Sequence, residues 1–394
     1  MRILVLNADY PRFLTWLYQG RPGLESASYA VQMAARNASL FGVADFYSRN
    51  FAALGHQAAE IHVNNPWLQS AWAREHGLAV EAATAADQRE LPGWLQRAAA
   101  PLKPMLRPLA RKVGLSPRLD APAAEILLAQ IEEFRPDLVL NQDVFHVDTA
   151  LARRIKAVGK AMLIGQVGIE PSRGVDWSVY DLMLSQLPRI VEAFRSAGVR
   201  AEVSHLAFEP GILAALPEAP AGTIEVSFIG SVSPDHRQRI ALLEAVARRY
   251  DLRLWGTLPQ SLSARSPLRQ CFQGEVWGTD MYQVLRRSRI TLNSHIDLAG
   301  EEAGNMRLFE STGVGAFLLT DFKRNLDTLF APDREVAVWH TVDDCLDAIG
   351  RYLRDDEART GIAKAGQMRT TTQHTYRHRA GEILAQVQEL QPQS

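Results

Sequence analysis

Short β-branched or leucine-rich runs alternate with longer helical stretches along almost the whole chain, and this alternation leaves few folds open beyond parallel strands wrapped by helices. The first run is RILVL at 2–6. A helix from about Tyr29 is expected to stop at Gly55, in AALGHQAAEIHV, where glycine takes the left-handed conformation and releases the chain into the next strand. Further strands read DLVLN (137–141), AMLIG (161–165), DLMLS (181–185) and AEVSH (201–205). FEPGILAALPEAPAG at 208–222 then breaks the rhythm with prolines and glycines, as a linker does. The rhythm resumes with IEVSFIG (224–230), LRLWG (252–256), RITLNS (289–294), AFLLTD (316–321) and EVAVW (335–339). The expected architecture is α/β: a doubly wound domain over 1–207, the linker 208–222, a second such domain over 223–370, and a helical tail at 371–394. That tail is expected to pack outside or to cross back to domain one. Such sheets bind ligands at the carboxyl ends of their strands, so a central cleft between them is the expected site.

Length and composition agree with two domains and exclude several partners. At 394 residues the chain exceeds one ordinary core, and 47% hydrophobic with 22% charged residues is globular. A net charge of −1 gives no overall pull toward nucleic acid. Cys271 and Cys345 belong to no CxxC or Cys/His cluster, which fits two small apolar core residues in a reducing compartment. RILVLNADY runs directly into a strand pattern with no export segment, so the expected location is the cytoplasm.

Three stretches of the second half carry chemistry. IEVSFIG runs into Gly230-Ser231-Val232-Ser233-Pro234-Asp235-His236-Arg237. Ser233 is the expected N-cap and Pro234 the first helical residue, which would leave free N–H groups and a positive helix end for an anion, with Arg237 as its cation. In EEAGNMRLFESTGVGAFLLTD (301–321), Asn305 can cap a helix from Met306 that turns Met306, Phe309 and Gly313 to the sheet. Arg307 and Glu310 then share the other face: the arginine suits a phosphate, and the carboxylate one turn on suits the paired hydroxyls of a ribose. Glu302 lies in the loop ahead, in reach of a sugar beyond the phosphates. Spacing alone proves little, since Glu125 and Glu133 are also eight apart. The third stretch, 272–276, ends at Val276 and is a loop whose backbone can meet the edge of a base. An ordinary capped turn, a surface Arg/Glu pair and a plain loop are the respective alternatives.

Together these stretches resemble the second domain of a GT-B glycosyltransferase, and SFIGSVSPDHRQRIALLEAV, TLNSH, NMRLFESTGVGAFLLTD and QMRTTTQHTYRHR look like the spore-protein (CgeB-like) glycosyltransferase group. DLMLSQLPRIVEAFRSAGV and HLAFEPGIL resemble the end of that group's first domain, so the likeness covers about 160–380. It implies GT-B architecture with two Rossmann-like domains and transfer of a sugar, of hexosyl type, from a nucleoside diphosphate donor to a glycan, lipid or protein, as in polysaccharide biosynthesis. It also implies that Gly230, Ser231, Arg237, Val276, Asn305, Met306, Arg307 and Glu310 bind the donor and that Glu302 contacts its sugar. The Glu-x7-Glu signature of retaining members appears as Glu302 to Glu310, although Ala303-Gly304-Asn305-Met306 departs from the glycine-rich segment that usually follows the first acid. A nucleotide-sugar 2-epimerase and a non-catalytic two-lobed nucleotide-sugar-binding protein are the alternatives on the same fold.

No Asp-x-Asp pair occurs, so no metal or other cofactor is expected, and arginines and helix ends would neutralise the leaving diphosphate. His374 and His378 in HTYRHR have no intervening acid and are expected to be a helix-surface pair. Domain one should hold the acceptor. Asp9, Tyr10, Gln166 and Glu170 stand at its strand ends, with Asp143 and His146 as candidates for the base that an inverting enzyme needs. PLKPMLRPLARKVGLSPRL (101–119) carries five cations and no acid. It suits peripheral contact with the inner membrane face or a lipid-linked acceptor, or is a proline-broken connector.

Overall fold

A computed structural model describes residues 1–78, 119–172, 175–218, 222–233, 236–296 and 300–390. The basic stretch 101–119 lies outside the described residues except for Leu119. Tertiary contacts divide the chain into unit one (1–38, 42–204 and 383–394) and unit two (39–41 and 205–382).

In unit one the strands are β1 (Arg2–Asn7), β2 (Gln57–His62), β3 (Leu138–Asn141), β4 (Met162–Gln166), β5 (Leu182–Ser185) and β6 (Ala201–Val203). All are parallel, in the order β2-β1-β3-β4-β5-β6. The helices are α1 (Pro11–Gln19), α2 (Tyr29–Asn37), α3 (Phe46–Ala53), α4 (Pro66–Glu75), α5 (Ala121–Phe134), α6 (Thr149–Gly159) and α7 (Pro188–Ser196). Near-continuous apolar strands such as LVLN and LMLS are buried throughout, as a parallel sheet covered on both faces requires. Asp120 and Asp148 cap α5 and α6 by accepting from the backbone N–H three residues on.

Unit two repeats the plan with β7 (Ile224–Ser231), β8 (Leu252–Thr257), β9 (Ser288–Leu292), β10 (Leu318–Asp321) and β11 (Ala337–Trp339), all parallel in the order β11-β10-β9-β7-β8. Its helices are α8 (Gly211–Ala215), α9 (Arg237–Arg249), α10 (Leu268–Cys271), α11 (Gly278–Arg287), α12 (Met306–Gly313), α13 (Leu326–Leu329), α14 (Val342–Arg354), α15 (Asp356–Gln373) and α16 (Tyr376–Leu390). Residues of α16 from Ile383 onward belong to unit one. Among the described residues, no helix is long and apolar enough to cross a membrane.

Every strand read from the sequence is present, and Gly55 has the left-handed φ of 89° expected of it. Three expectations need correction. The helix from Tyr29 is two, α2 and α3, because Leu40, Gly42 and Ala44 all take positive φ between them. The segment at 208–222 is not a free linker over its first half: Phe208 and Ile212 are buried, and Phe208 exchanges backbone hydrogen bonds with His374 and Tyr376. His374 is no surface residue. Its ring sits at the junction of α15 and α16, with Nε2 on the Leu329 carbonyl (2.9 Å) and Nδ1 receiving Arg379 (2.9 Å); burial pulls its pKa down to about 4.

Candidate functional site

The carboxyl edge of the unit-two sheet collects most of the polar groups expected from the sequence. β7 and β8 run so close there that a Cβ on Gly256, at φ 128°, would stand 2.1 Å from the Gly230 carbonyl oxygen. Glycine is therefore required, and the Ser231 and Thr257 hydroxyls meet at 2.8 Å just beyond it. The helix that follows starts later than expected. Its N-cap is His236, without a side-chain cap, because Ser233 makes a turn before the helix: its carbonyl accepts from His236 N, and its hydroxyl lies 3.2 Å from His236 Nδ1. Pro234 and Asp235 lie outside the described residues.

Arg237 is the exposed first residue of α9, whereas the buried arginine is Arg239, which the sequence reading passed over. Its Nη1 donates to the Ser231 carbonyl (2.7 Å), its Nη2 donates to the Ser294 carbonyl (2.6 Å), and its plane covers Phe228 at 5.5 Å. It ties the ends of β7 and β9 together. Two residues apart on a helix point to different faces, so R-x-R at a helix start signals one inward and one outward arginine but not which is which.

α12 begins as expected. The Asn305 side chain accepts from Leu308 N (3.3 Å), and its amide is paired with that of Asn293 through Nδ2 to Oδ1 contacts of 2.9 and 3.3 Å. Asn293 Nδ2 also reaches Thr320 Oγ1 at 3.0 Å, so one amide cluster fixes the ends of β9 and β10 and the start of α12. Met306 is half-buried, while Phe309 and Gly313 are buried against the domain. Arg307 and Glu310 form an ion pair at 2.9 Å with side chains only 14% and 7% exposed, so this is no solvated surface pair. Arg307 Nε finds no hydrogen-bond acceptor among the described residues. Burial, then the Glu310 charge, keeps the neighbouring Tyr282 hydroxyl protonated far above its ordinary range.

The loop ahead of α12 is held by Asn325, which accepts from Ala303 N (2.6 Å) and donates to its carbonyl (3.0 Å), and by His295 Nε2, which accepts from Gly304 N (3.4 Å). Glu302 is half-buried within it. Val276 closes a loop that Gln273 N and the Gly274 carbonyl pin to β8, with Gly274 at φ 86°.

The carboxyl edge of the unit-one sheet is different. His146 Nδ1 stands 2.9 and 2.7 Å from the two Asp143 oxygens, and Asp143 N donates to Asn141 Oδ1. The carboxylate holds the proton on Nδ1 and leaves Nε2 as the basic nitrogen of a ring that is 20% exposed. Gln166 accepts from Gln142 Nε2 (2.6 Å), and Glu170 pairs with Arg189 (2.7 Å) at the surface. Tyr10 is 66% exposed, whereas Asp9 turns inward: it pairs with Arg36 at 2.6 Å and with His62 at 3.2 Å, all three buried. Burial alone would raise the Asp9 pKa, but the His62 and Arg36 charges outweigh it and hold the group well below the carboxylate range. Asp9 therefore lacks the exposure that direct contact with an acceptor needs.

Comparison with known proteins places this geometry in a fold. Residues 237–385 match the family model described as Glycosyl transferase-like. Anabaena Alr3699/HepE, solved in complex with UDP-glucose, superposes with a TM-score of 0.56 at 13% identity over 99% of this chain and 100% of that one. A glycosyltransferase from Rickettsia africae gives 0.59 at 9% over 100% and 99%. AviGT4, a glycosyltransferase involved in avilamycin A biosynthesis, gives 0.56 at 14% over 99% and 98%. The fold is GT-B. No curated protein sequence matches the chain. In GT-B terms, unit two is the Rossmann-like domain whose sheet edge carries Asn305, Arg307 and Glu310, and the family match begins at Arg237, the first residue of α9.

Proposed function

We propose that the protein is a glycosyltransferase that moves a sugar from a nucleoside diphosphate donor to an acceptor without a metal ion. The observation that carries this reading is the largely buried Arg307–Glu310 pair on a helix whose first turn is capped by Asn305, in a fold shared with a protein crystallised with UDP-glucose. The N–H groups at the starts of α9 and α12, with Arg237 and Arg307, neutralise the departing diphosphate. Gly230 and Ser231 let it approach, Glu310 takes the ribose hydroxyls and the Val276 loop takes the base. On the acceptor side, His146 Nε2, oriented by Asp143, removes the proton of the attacking hydroxyl, which goes with inversion at the anomeric carbon. Exposed Tyr10, Phe145 and Ile169, with Gln166 and Glu170 at the same sheet edge, offer an acceptor a partly apolar seat. Retention is the second reading, favoured by the place of Glu302 in the loop directly before α12. The motif likeness supports the CgeB-like group as the nearer relationship, with a hexose as the sugar.

Calorimetric titration with UDP and GDP tests the donor side. One of them is expected to bind in magnesium-free buffer, with loss of about a hundredfold in Arg307→Ala and about tenfold in Glu310→Gln. Indifference to both nucleotides, or binding only with added magnesium or manganese, overturns the reading. NMR of the product anomer with an acceptor extract separates inversion from retention, and donor consumption without acceptor would point to an epimerase.

A further inference from the structure

Unit two has a cavity of about 600 Å³ beyond the ends of β9, β10 and β11, walled on one side by α9 and on another by the start of α14. Its polar floor is Asp321, whose Oδ1 lies 2.7 Å from His295 Nδ1 and whose two oxygens also accept from His295 N. Burial pushes the Asp321 pKa up, but the His295 hydrogen bond and the Lys323 charge outweigh it and keep the group ionised. Lys323 lies 3.5 Å from Asp321 and gives a hydrogen bond to the Gly300 carbonyl at 2.6 Å. The floor is thus close to neutral. A phosphate would face a carboxylate, and the lysine that could attract it is already engaged. Part of the remaining wall is aromatic. Phe322, 45% exposed, stacks on His340 with ring centroids 4.8 Å apart, and Trp339 has its indole Nε1–H without an acceptor among the described residues.

An ionised hydrogen-bond acceptor and flat rings around a space of small-molecule size suit a neutral ring with hydroxyls at its rim and C–H groups on its faces. We propose that this cavity binds a neutral saccharide as a second carbohydrate site, with Asp321 accepting from its hydroxyls and Phe322, His340 and Trp339 packing on its ring. The cavity also adjoins the donor half. His295, which holds Asp321 through Nδ1, accepts from Gly304 N through Nε2, and Gly304 precedes the cap of α12. A sugar on Asp321 therefore sits two hydrogen bonds from the start of that helix.

Saturation-transfer NMR on the full chain tests this with methyl glycosides of glucose, galactose, mannose and N-acetylglucosamine, and with maltose and lactose. At least one is expected to give ring-proton transfer that weakens about tenfold in Phe322→Ala or Trp339→Phe and persists when UDP is added or Arg307 is replaced by alanine. Phe322 is exposed, so its variant isolates the contact from folding. Silence across the panel overturns the proposal, as does a signal that survives both aromatic substitutions. A signal lost on adding UDP or in Arg307→Ala also overturns it, because the sugar then occupies the donor site. If UDP binds nowhere, the donor reading fails while the saccharide panel still decides the cavity.

Discussion

The two sheets share a winding plan, but their carboxyl edges hold charge in opposite ways. In unit one, Asp9, Arg36, Glu60 and His62 are all buried beneath the edge and are placed against one another, while Tyr10, Phe145 and Ile169 face outward. In unit two, Arg307 is only mostly covered, Arg237 is exposed, and two helix N-termini end at the same edge. A charged network sealed inside one domain braces its loops, whereas charges kept partly open in the other can meet an anionic ligand without first being dug out of a core. On the proposed function this difference amounts to a division of labour, with the diphosphate met by unit two and the base supplied by His146 of unit one.

The largest expected effect breaks that division on the unit-one side. His146→Ala should lower kcat by about a hundredfold to ten-thousandfold while leaving UDP affinity within about twofold, because a general base acts on turnover and not on the diphosphate. Asp143→Asn should give a smaller loss, since the ring remains but its tautomer is no longer fixed. Partial recovery of turnover in His146→Ala on adding imidazole is the readout a purely structural histidine would not give.

The next effect separates two arginines of unit two. Arg239→Ala removes two charge-assisted hydrogen bonds to the β7 and β9 ends and should destabilise unit two by about 3 kcal/mol in urea unfolding, with donor binding lost alongside. Arg237→Ala should leave stability within about 0.5 kcal/mol and weaken UDP binding alone. Equal stability losses in the two variants would sink the distinction.

This pair also marks how far the sequence could be read. The strands were legible because buried parallel strands are written as unbroken apolar runs, and α12 was legible because Asn305, Arg307, Phe309 and Glu310 put cap, polar pair and core face at helical spacing. Arg239 and the inward turn of Asp9 were not. Both depend on which neighbour from a distant strand supplies a partner, Ser294 in one case and His62 in the other, and no local pattern encodes that. The break between α2 and α3 was only partly signalled, since Gly42 lies in it but the left-handed Leu40 and Ala44 on either side are residues that do not announce that conformation. His374 looked like one of a surface pair because its partners, Leu329 and Arg379, lie outside the i, i+4 relation.

A third prediction sharpens the sealed character of the unit-one network through pH. Burial pushes Glu60 up to about 8, above its ordinary 4.5, and burial with the Arg36 charge lowers His62 below 6.5. Between pH 4.5 and 8 the unfolded chain has already released the Glu60 proton while the folded one retains it, so this group lowers stability as pH rises, by about 1.4 kcal/mol per unit. Below pH 6.5 the unfolded chain takes up a proton at His62 that the folded one refuses, which lowers stability toward acid. Between pH 4.5 and 6.5 the two slopes oppose each other, so thermal unfolding of Glu60→Gln should lose the decline between pH 6.5 and 8 and uncover the His62 decline below 6.5. An unchanged alkaline slope would mean that the carboxyl is ionised in the fold and that the network carries a different charge balance.

The smallest effect probes whether the unit-two edge is rigid because of its cap or because of its amide cluster. Asn305→Ser can still accept from Leu308 N but is too short to replace the paired contacts with Asn293, whereas Asn305→Ala removes both. If the cap dominates, serine should hold stability within about 0.3 kcal/mol of the native chain and alanine should lose about 1 kcal/mol. If the amide cluster dominates, both should lose comparable stability, because Asn293 is left to satisfy a buried amide with Thr320 alone. Donor affinity then decides what the cluster is for. A serine variant that is stable yet binds UDP several-fold more weakly would place its contribution in aligning the first N–H groups of α12 with a diphosphate.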